Sequence, residues 1–478
     1  LSDLLNFIGG EWTPSASTDT ISVVNPATEM PVAQLPAGDA EDALRAVLAA
    51  RYAFQPWAGT SVSDRCALVG EVADALVPHC RELAEIECSE MGRPADAGEP
   101  WIAGSIAGLR ASVEMANGYA FQREIRDDDQ TRSRVDRHPL GVVSVILPWN
   151  YATTMALGAL GPALLCGNTL ILKPSEKSSL ALARVFELIQ DVFPPGVINL
   201  LLGDGRSGGP LVEHPDLDLT YFTGSVRTGQ TVALAAARNL KRVLLELGGK
   251  DPVIIDEDVD IEMVARDVAR GAFLNSGQIC TSMERVYVHR RVAEPFLEAL
   301  VRIARTYAFS GDAGNEPDRL LGPLVDQAQR SLVAAHVADA VRKNARVLTG
   351  GVIPDRPGYF YPATVLADVT DEMEIMREET FGPIVPVQIV DGFSDALEKA
   401  SASKFGLGAT VYTQNRAHME QAKSIPAALI WINKWRGNSA GCVFEPARQS
   451  GIGKLGGVAT FDAFTRPAAV VETRNPPP

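Results

Sequence analysis

At 478 residues the chain is too long for one ordinary core, so two or three domains are expected, and an apolar fraction of 46% is ample to fill them. A net charge of −15, from 59 acidic against 44 basic residues without long Lys/Arg clusters, argues against nucleic acid or an anionic membrane as partner. No apolar run reaches the roughly 18 residues of a membrane span, and the N-terminus is acidic and mixed, unlike a signal peptide. The six cysteines (66, 80, 88, 166, 280 and 442) include no C-x-x-C, and the six histidines no H-E-x-x-H. This predicts reduced thiols in a cytoplasmic protein and no protein-ligated metal. Support for a serine triad is also missing, because there is no G-x-S-x-G elbow.

Residues 1–36 are rich in Pro, Thr and Ser, with short strand-like pieces such as Thr20–Val24. From Ala40 to about Tyr119 the period is helical. Leu44, Val47, Leu48 and Arg51 form one expected stripe, and Leu68, Val72, Leu76 and Val77 another, with a break at Gly92-Arg93-Pro94. Residues 121–138 are charged and core-poor, either a solvated hairpin or an arm packing on another chain. From Gly141, apolar runs at 142–147, 169–172, 197–202, 219–222 and 242–246 alternate with helical stretches at 153–166, 178–192, 206–213 and 226–238. This alternation predicts βαβ units and a parallel sheet, which binds ligands at the carboxyl ends of its strands.

The chemically suggestive residues fall at those ends. Pro148-Trp149-Asn150 follows the first strand; the Asn150 carboxamide could donate to an oxyanion, or simply form a turn. Lys173-Pro174-Ser175-Glu176 follows the second, where Lys173 and Glu176 could grip ribose hydroxyls, or Ser175 could cap a helix. Phe222-Thr223-Gly224-Ser225-Val226-Arg227-Thr228-Gly229 opens a helix whose N-terminus could receive a phosphate. Glu246-Leu247-Gly248-Gly249-Lys250 ends the fifth strand. Glu246 is costly to bury there, so it is a candidate base with a raised pKa, or else a salt-bridge partner of Lys250.

A second α/β region begins near Lys250, with helical patterns at 261–273, 292–307 and 326–343 and strand-like runs at 285–288, 383–390 and 408–412. Asp260 can cap the first helix. Between that helix and the strand lies Asn275-Ser276-Gly277-Gln278-Ile279-Cys280-Thr281-Ser282, a short turn with small neighbours that could present a working thiol, or bury a structural one. Glu378-Glu379-Thr380-Phe381-Gly382-Pro383 puts an acid and an aromatic at a turn that could equally be a solvated loop. The stretch 437–478 is glycine-rich, then extended, and Asn475–Pro478 is expected to fray.

P-W-N, K-P-S-E, F-T-G-S, E-L-G-G-K, G-Q-I-C-T-S and E-E-T-F-G-P occur in this order. In them the chain resembles the aldehyde dehydrogenase superfamily, from its N-terminal strands to about residue 466. The resemblance implies a five-stranded Rossmann-type NAD-binding domain (1–120 and 141–248), an α/β catalytic domain (249–440), a small β oligomerisation arm (121–140 and 459–478), and a segment, 441–458, returning to the cofactor domain. It implies Cys280 as nucleophile, Glu246 as base and Asn150 as oxyanion donor. Cofactor contacts fall on Trp149, Lys173, Glu176, Gly224, Ser225, Gly229, Leu247, Glu379 and Phe381. NAD is the expected cofactor, because Glu176 would repel a 2′-phosphate, with NADP use possible through Lys173. A homodimer or homotetramer is expected.

The implied chemistry is thiolate attack on an aldehyde, a thioester on Cys280, and its hydrolysis by water that Glu246 activates. By register, Tyr151, Met155, Gly158, Leu274, Ile279, Thr281 and the Trp435–Phe444 loop would line the substrate tunnel, including Arg436. Their apolar character points to an aromatic or medium-chain aldehyde. A semialdehyde anchored by Arg436 is the alternative, and Arg436 could instead face solvent or pair with Glu445. A cysteine esterase using the same pair, an acylating enzyme and a non-catalytic binding protein are the other readings; Glu246 speaks against acyl transfer to coenzyme A. Val443-Phe444-Glu445-Pro446 departs from the family's P-F-G-G, so the loop before Ser450-Gly451-Ile452-Gly453 should differ in shape.

Overall fold

The computed structural model describes residues 4–312, 317–437 and 441–474. Its first large sheet has the strands Ile198–Leu200, Thr169–Lys173, Val142–Ile146, Leu219–Thr223 and Arg242–Glu246 side by side, all parallel. Numbered along the chain, the order is 3-2-1-4-5, the Rossmann-type arrangement, with the switch point between Val142–Ile146 and Leu219–Thr223. The central runs are apolar on both faces because helices cover both sides.

Three short antiparallel strands extend this sheet, and sequence patterning did not place any of them there. Asn6–Ile8 and Glu11–Thr13 add one edge, and Gly451–Ile452 adds the other by pairing with Leu245 and Glu246. They are too short for a periodicity to show.

The helices Ala40–Ala58, Val62–Leu76, Cys80–Met91 and Ala95–Gly118 fill the expected helical region, with Gly92-Arg93-Pro94 at the break. Their inward faces differ from the expected stripes. Leu44 and Leu48 are exposed, whereas Ala43, Ala46, Val47 and Ala50 pack on Val142, Ile171 and Leu201. Small side chains let this helix lie close against the sheet, so the larger leucines turn outward. Likewise Val77 is exposed and Leu68 only partly buried, while Val69, Val72, Ala73 and Leu76 carry the contact.

The second large sheet orders its strands Arg346–Thr349, Thr364–Ala367, Ile384–Val390, Met283–His289, Asp251–Ile255, Gly408–Tyr412 and Leu429–Ile432. All neighbours are parallel except the Arg346–Thr349 edge. Helix Ile261–Phe273 begins at Asp260, whose side chain accepts from the Met263 N–H as expected. Gln122–Asp127, Thr131–Pro139 and Thr465–Thr473 form a separate three-stranded antiparallel sheet. The expected fraying at Asn475–Pro478 lies outside the described residues. Among the described residues no helix is long and apolar enough to cross a membrane, and no group of three His, Cys, Asp or Glu side chains could hold a metal ion.

Candidate functional site

A cavity of about 740 Å³ opens at the carboxyl ends of the first sheet's strands and reaches the second sheet. The loops after all five parallel strands meet there. Trp149, Asn150, Lys173, Glu176, Gly224, Ser225, Glu246 and Leu247 line it, and Met155, Cys280, Glu379 and Phe381 close its inner end. Gly229 does not line it. That residue lies one turn into the helix Val226–Arg238 and packs on Leu247, where any side chain would collide with the leucine.

The thiol loop is held rigidly. Asn275, Ser276 and Gly277 are all left-handed, with φ of 51°, 55° and 74°. At Gly277 a Cβ would press into the Gly382 carbonyl, so glycine is required there by space as well as by φ. Ser276 Oγ donates to Gly322 O at 2.7 Å, and Gln278 Oε1 accepts from Val325 N at 2.9 Å. Asn150 Nδ2 donates to Gln278 O at 2.9 Å, fixing the carboxamide beside the loop. Burial pushes the Cys280 thiol up to about 12, and Arg436 is the main charge opposing that shift.

Glu246 takes no ion pair with Lys250. Lys250 is buried and pairs with Glu284 at 2.5 Å, and Glu284 also accepts the Thr380 and Phe381 N–H groups, each at 2.8 Å. Left without a partner charge, the Glu246 carboxyl is pushed up to about 8 by burial alone. Ser450 braces the turn that follows: its Oγ donates to Gly248 O at 2.8 Å, and its carbonyl accepts from Leu247 N at 2.8 Å. The serine and glycines that outlast the departure from P-F-G-G thus support the strand end that carries Glu246.

The two acids of the 378–383 turn part company. Glu378 is exposed and pairs with Lys404, while Glu379 faces the cavity and accepts from Gly249 N at 3.0 Å. Burial, foremost, holds Glu379 up to about 8. The Phe381 ring meets Trp149 edge-on at 5.6 Å. Gln329 holds this turn by donating to Thr380 O and Phe381 O at 2.9 and 3.1 Å. Glu284 and Gln329 were not predicted, since each reaches the site from a distant element with no local signal beyond its polarity; Ser450 stood out only as part of the Ser450-Gly451-Ile452-Gly453 stretch, without a role.

At the other end of the cavity Glu176 lies beside Lys173, whose ammonium donates to Gly203 O at 2.6 Å and Pro174 O at 3.2 Å. Ser175 caps no helix; the next one starts at Leu180, and the Leu180 and Ala181 N–H groups are received by the buried Glu90 carboxyl instead. Ser225 does cap its helix, accepting from Thr228 N at 3.2 Å.

The expected tunnel residues are divided. Tyr151, Ile279, Thr281 and Trp435 are buried in the second core around the thiol loop, with Trp435 Nε1 donating to Thr281 O at 3.1 Å. Gly158 and Leu274 line a separate cleft of about 620 Å³ together with Trp101. Arg436 does not pair with Glu445, which lies 3.9 Å from Lys454; its guanidinium sits 4.8 Å over the Trp101 ring. Phe444 lines neither space and pairs with Leu455 against the first core. Residues 438–440 of this loop lie outside the described residues.

Residues 12–470 match the sequence profile described as the aldehyde dehydrogenase family. The chain is 35% identical to a peroxisomal aminoaldehyde dehydrogenase 2 of Malus domestica, over 98% of this chain and 95% of that one. It superposes on the crystal structure of lactaldehyde dehydrogenase from Escherichia coli with a TM-score of 0.94 at 32% identity, covering 98% and 99% of the two chains. The NAD+ complex of an aldehyde dehydrogenase from Bacillus cereus gives 0.94 at 34% identity, covering 99% and 97%. A Rossmann-type sheet, a thiol loop facing its strand ends and likeness along nearly the whole chain converge: the protein belongs to the aldehyde dehydrogenase family and is an oxidoreductase acting on aldehydes.

Proposed function

We propose that the protein oxidises an aldehyde to the carboxylic acid with NAD as cofactor, through a covalent adduct on Cys280. The observation that carries this reading is the meeting of Cys280, Glu246 and Asn150 in one cavity with Glu176, Glu379, Trp149 and Phe381. The cavity suits a dinucleotide on three counts. Its volume is within the range of cofactor sites. A carboxylate stands near each end, Glu176 and Glu379, able to accept from ribose hydroxyls. Between them lies the N-terminus of helix Val226–Arg238, where N–H groups can face a diphosphate. Bound there, the nicotinamide supplies the hydride acceptor that turns a thiohemiacetal into a thioester.

The chain's own residues do the rest. Glu246 accepts the thiol proton, so that the sulfur of Cys280 attacks the carbonyl carbon as thiolate. The Cys280 N–H and the Asn150 carboxamide then stabilise the oxyanion. In this structure the carboxamide donates to Gln278 O, leaving its second N–H for the substrate. After passing the thiol proton to solvent, Glu246 takes a proton from water, which attacks the thioester and frees the acid with Cys280 as the leaving thiolate. Trp149 and Phe381 wall the inner end and limit water there.

Met155, Tyr151, Ile279 and Trp435 around the thiol favour an aromatic or medium-chain aldehyde body over acetaldehyde. The relatives named above for aminoaldehydes and lactaldehyde are similarly distant in sequence, so their names do not select the substrate. The exposed strand Gln122–Asp127 and the extended Thr465–Thr473 serve as an arm for a homodimer or a dimer of dimers. The deciding experiment is an aldehyde panel assayed with NAD and NADP. Growth of the reduced-nicotinamide absorbance with stoichiometric acid supports the reading; acid released from an ester, with no reduction by any aldehyde, would establish the hydrolase instead.

A further inference from the structure

The cleft of about 620 Å³ that Trp101, Thr154, Gly158 and Leu274 line shares a wall with the thiol cavity. That wall is the helix Ala152–Leu165: Thr154 and Gly158 face the cleft, and Met155 faces Cys280. Nothing lies within 4 Å of the place a Cβ would occupy at Gly158, so the helix surface is open at that point.

The charges around the cleft are unbalanced. Its only carboxylate among the described lining residues, Asp96, is already engaged by Arg81. Arg270 also lines it and has no carboxylate partner among the described residues. Arg436 likewise has none, and its guanidinium lies 4.8 Å from the Trp101 ring centroid and 5.4 Å from that of Trp435. In a chain of net charge −15, two guanidinium groups beside one cleft that form no ion pair among the described residues can receive an anion. The aromatic faces that a ligand cation would use are already taken by Arg436. Closer to the thiol, Thr281 Oγ1 is buried without a hydrogen-bond partner. Arg436 is also the foremost charge opposing the upward shift of Cys280, so its field reaches the reacting sulfur.

We propose that Arg436 determines substrate specificity and, with Arg270, selects aldehydes that carry an anionic group at the far end of a flat or apolar body, while rejecting cationic ones. This rests on the dehydrogenase reading and deepens it. Held over the Trp101 ring, the fork of Arg436 receives the anion, bidentately when it is a carboxylate.

The test uses three benzaldehydes differing at the para position: carboxylate, methyl and trimethylammonio. For each, kcat/KM is measured in the wild type and in Arg436→Gln, Arg436→Lys and Arg436→Glu. Comparing ratios between variants cancels the electronic differences among the aldehydes. In the wild type the carboxylate should be preferred over methyl, and Arg436→Gln should lower that ratio about tenfold. Arg436→Lys should keep most of it, Arg436→Glu should shift preference toward trimethylammonio, and Arg270→Gln should lower it about threefold. A second measurement needs only the wild type: KM for the carboxylate should rise between 20 and 300 mM salt (roughly a fourfold change in Debye length), while KM for methyl holds. Carboxylate-to-methyl ratios that agree within twofold across wild type, Arg436→Gln and Arg436→Glu, or a KM for the carboxylate indifferent to salt, overturn the proposal. If propanal and all three benzaldehydes fail to reduce either cofactor, the dehydrogenase reading itself falls, and this proposal with it.

Discussion

The two spaces flanking the helix Ala152–Leu165 are built on opposite electrostatic plans. The larger is walled by strand ends and contains Glu176, Glu246 and Glu379; the smaller is walled by helices and has Arg270 and Arg436 beside it. In the first, desolvation holds the Glu246 carboxyl up to about 8, where proton transfer near neutral pH is most effective. In the second, the guanidinium groups can only attract or repel. On the proposed reading, chemistry and selection fall to different walls, and substitutions on either wall should have different signatures.

The largest effect belongs to the thiol. Cys280→Ala should abolish turnover, by at least about 10⁴-fold, while cofactor affinity by fluorescence titration stays close to the wild type. Sustained turnover in that variant would remove the assignment. Glu246→Gln should slow steady turnover by about 10²–10⁴-fold yet still release a rapid burst of reduced cofactor, because the thioester forms and then waits for water. The wild-type pH profile carries the same group. With its folded pKa near 8, Glu246 gains base strength as pH rises, so hydrolysis-limited kcat should climb to about pH 8 and level off; a flat profile from pH 6 to 9 would show that another group is the base.

Backbone geometry comes next. Gly277→Ala forces a Cβ against a carbonyl at positive φ and should cost about 1–3 kcal/mol of stability, read as a fall in Tm with activity lost in proportion or worse. Cofactor choice is a smaller effect. Glu176→Gln should raise the NADP-to-NAD ratio of kcat/KM about tenfold by removing like charge from a 2′-phosphate; an unchanged ratio would mean the loop moves aside.

The smallest effect lies outside both spaces. Glu90 is buried and held up to about 8, whereas it titrates near 4.5 unfolded. Between those values the unfolded chain releases a proton that the fold retains, so this group's contribution to stability is present below about pH 4.5 and is lost as pH rises through 8. Glu90→Gln should therefore show a shallower decline of Tm between pH 5 and 8.5 than the wild type.

The difference between the two spaces also explains what the sequence discloses. The larger one is assembled from loops that directly follow strands and from the thiol loop between a helix and a strand, so short motifs name residues that line it: Asn150, Lys173, Glu176, Gly224, Glu246 and Cys280 were all legible. Patterning also located the five parallel strands within a residue or two at most ends, because their apolar runs are bounded by turns. The smaller space is assembled from the sides of helices and a distant loop. Trp101 lies inside a helix that reads as ordinary core, and nothing local indicates that Arg436 will rest on it. The same limit hid Glu284 and Gln329, which act on a turn about 50 to 100 residues away along the chain. It also misdirected the helix Ala40–Ala58, where the periodicity of the leucines was real but the alanine face offered the closer fit.

Gly277 and Gly382 meet backbone to backbone, with no side chain between the thiol loop and the turn that carries Glu379 and Phe381. Most neighbouring loops have a rotamer between them that can absorb a displacement. Here there is none, so the two behave like meshed gears, and a shift of one must be followed by the other. The reactivity of the thiol then becomes a gauge of cofactor occupancy. Alkylation of Cys280 by iodoacetamide should change rate when the dinucleotide site fills, and an adduct on the sulfur should change how tightly that site holds its ligand.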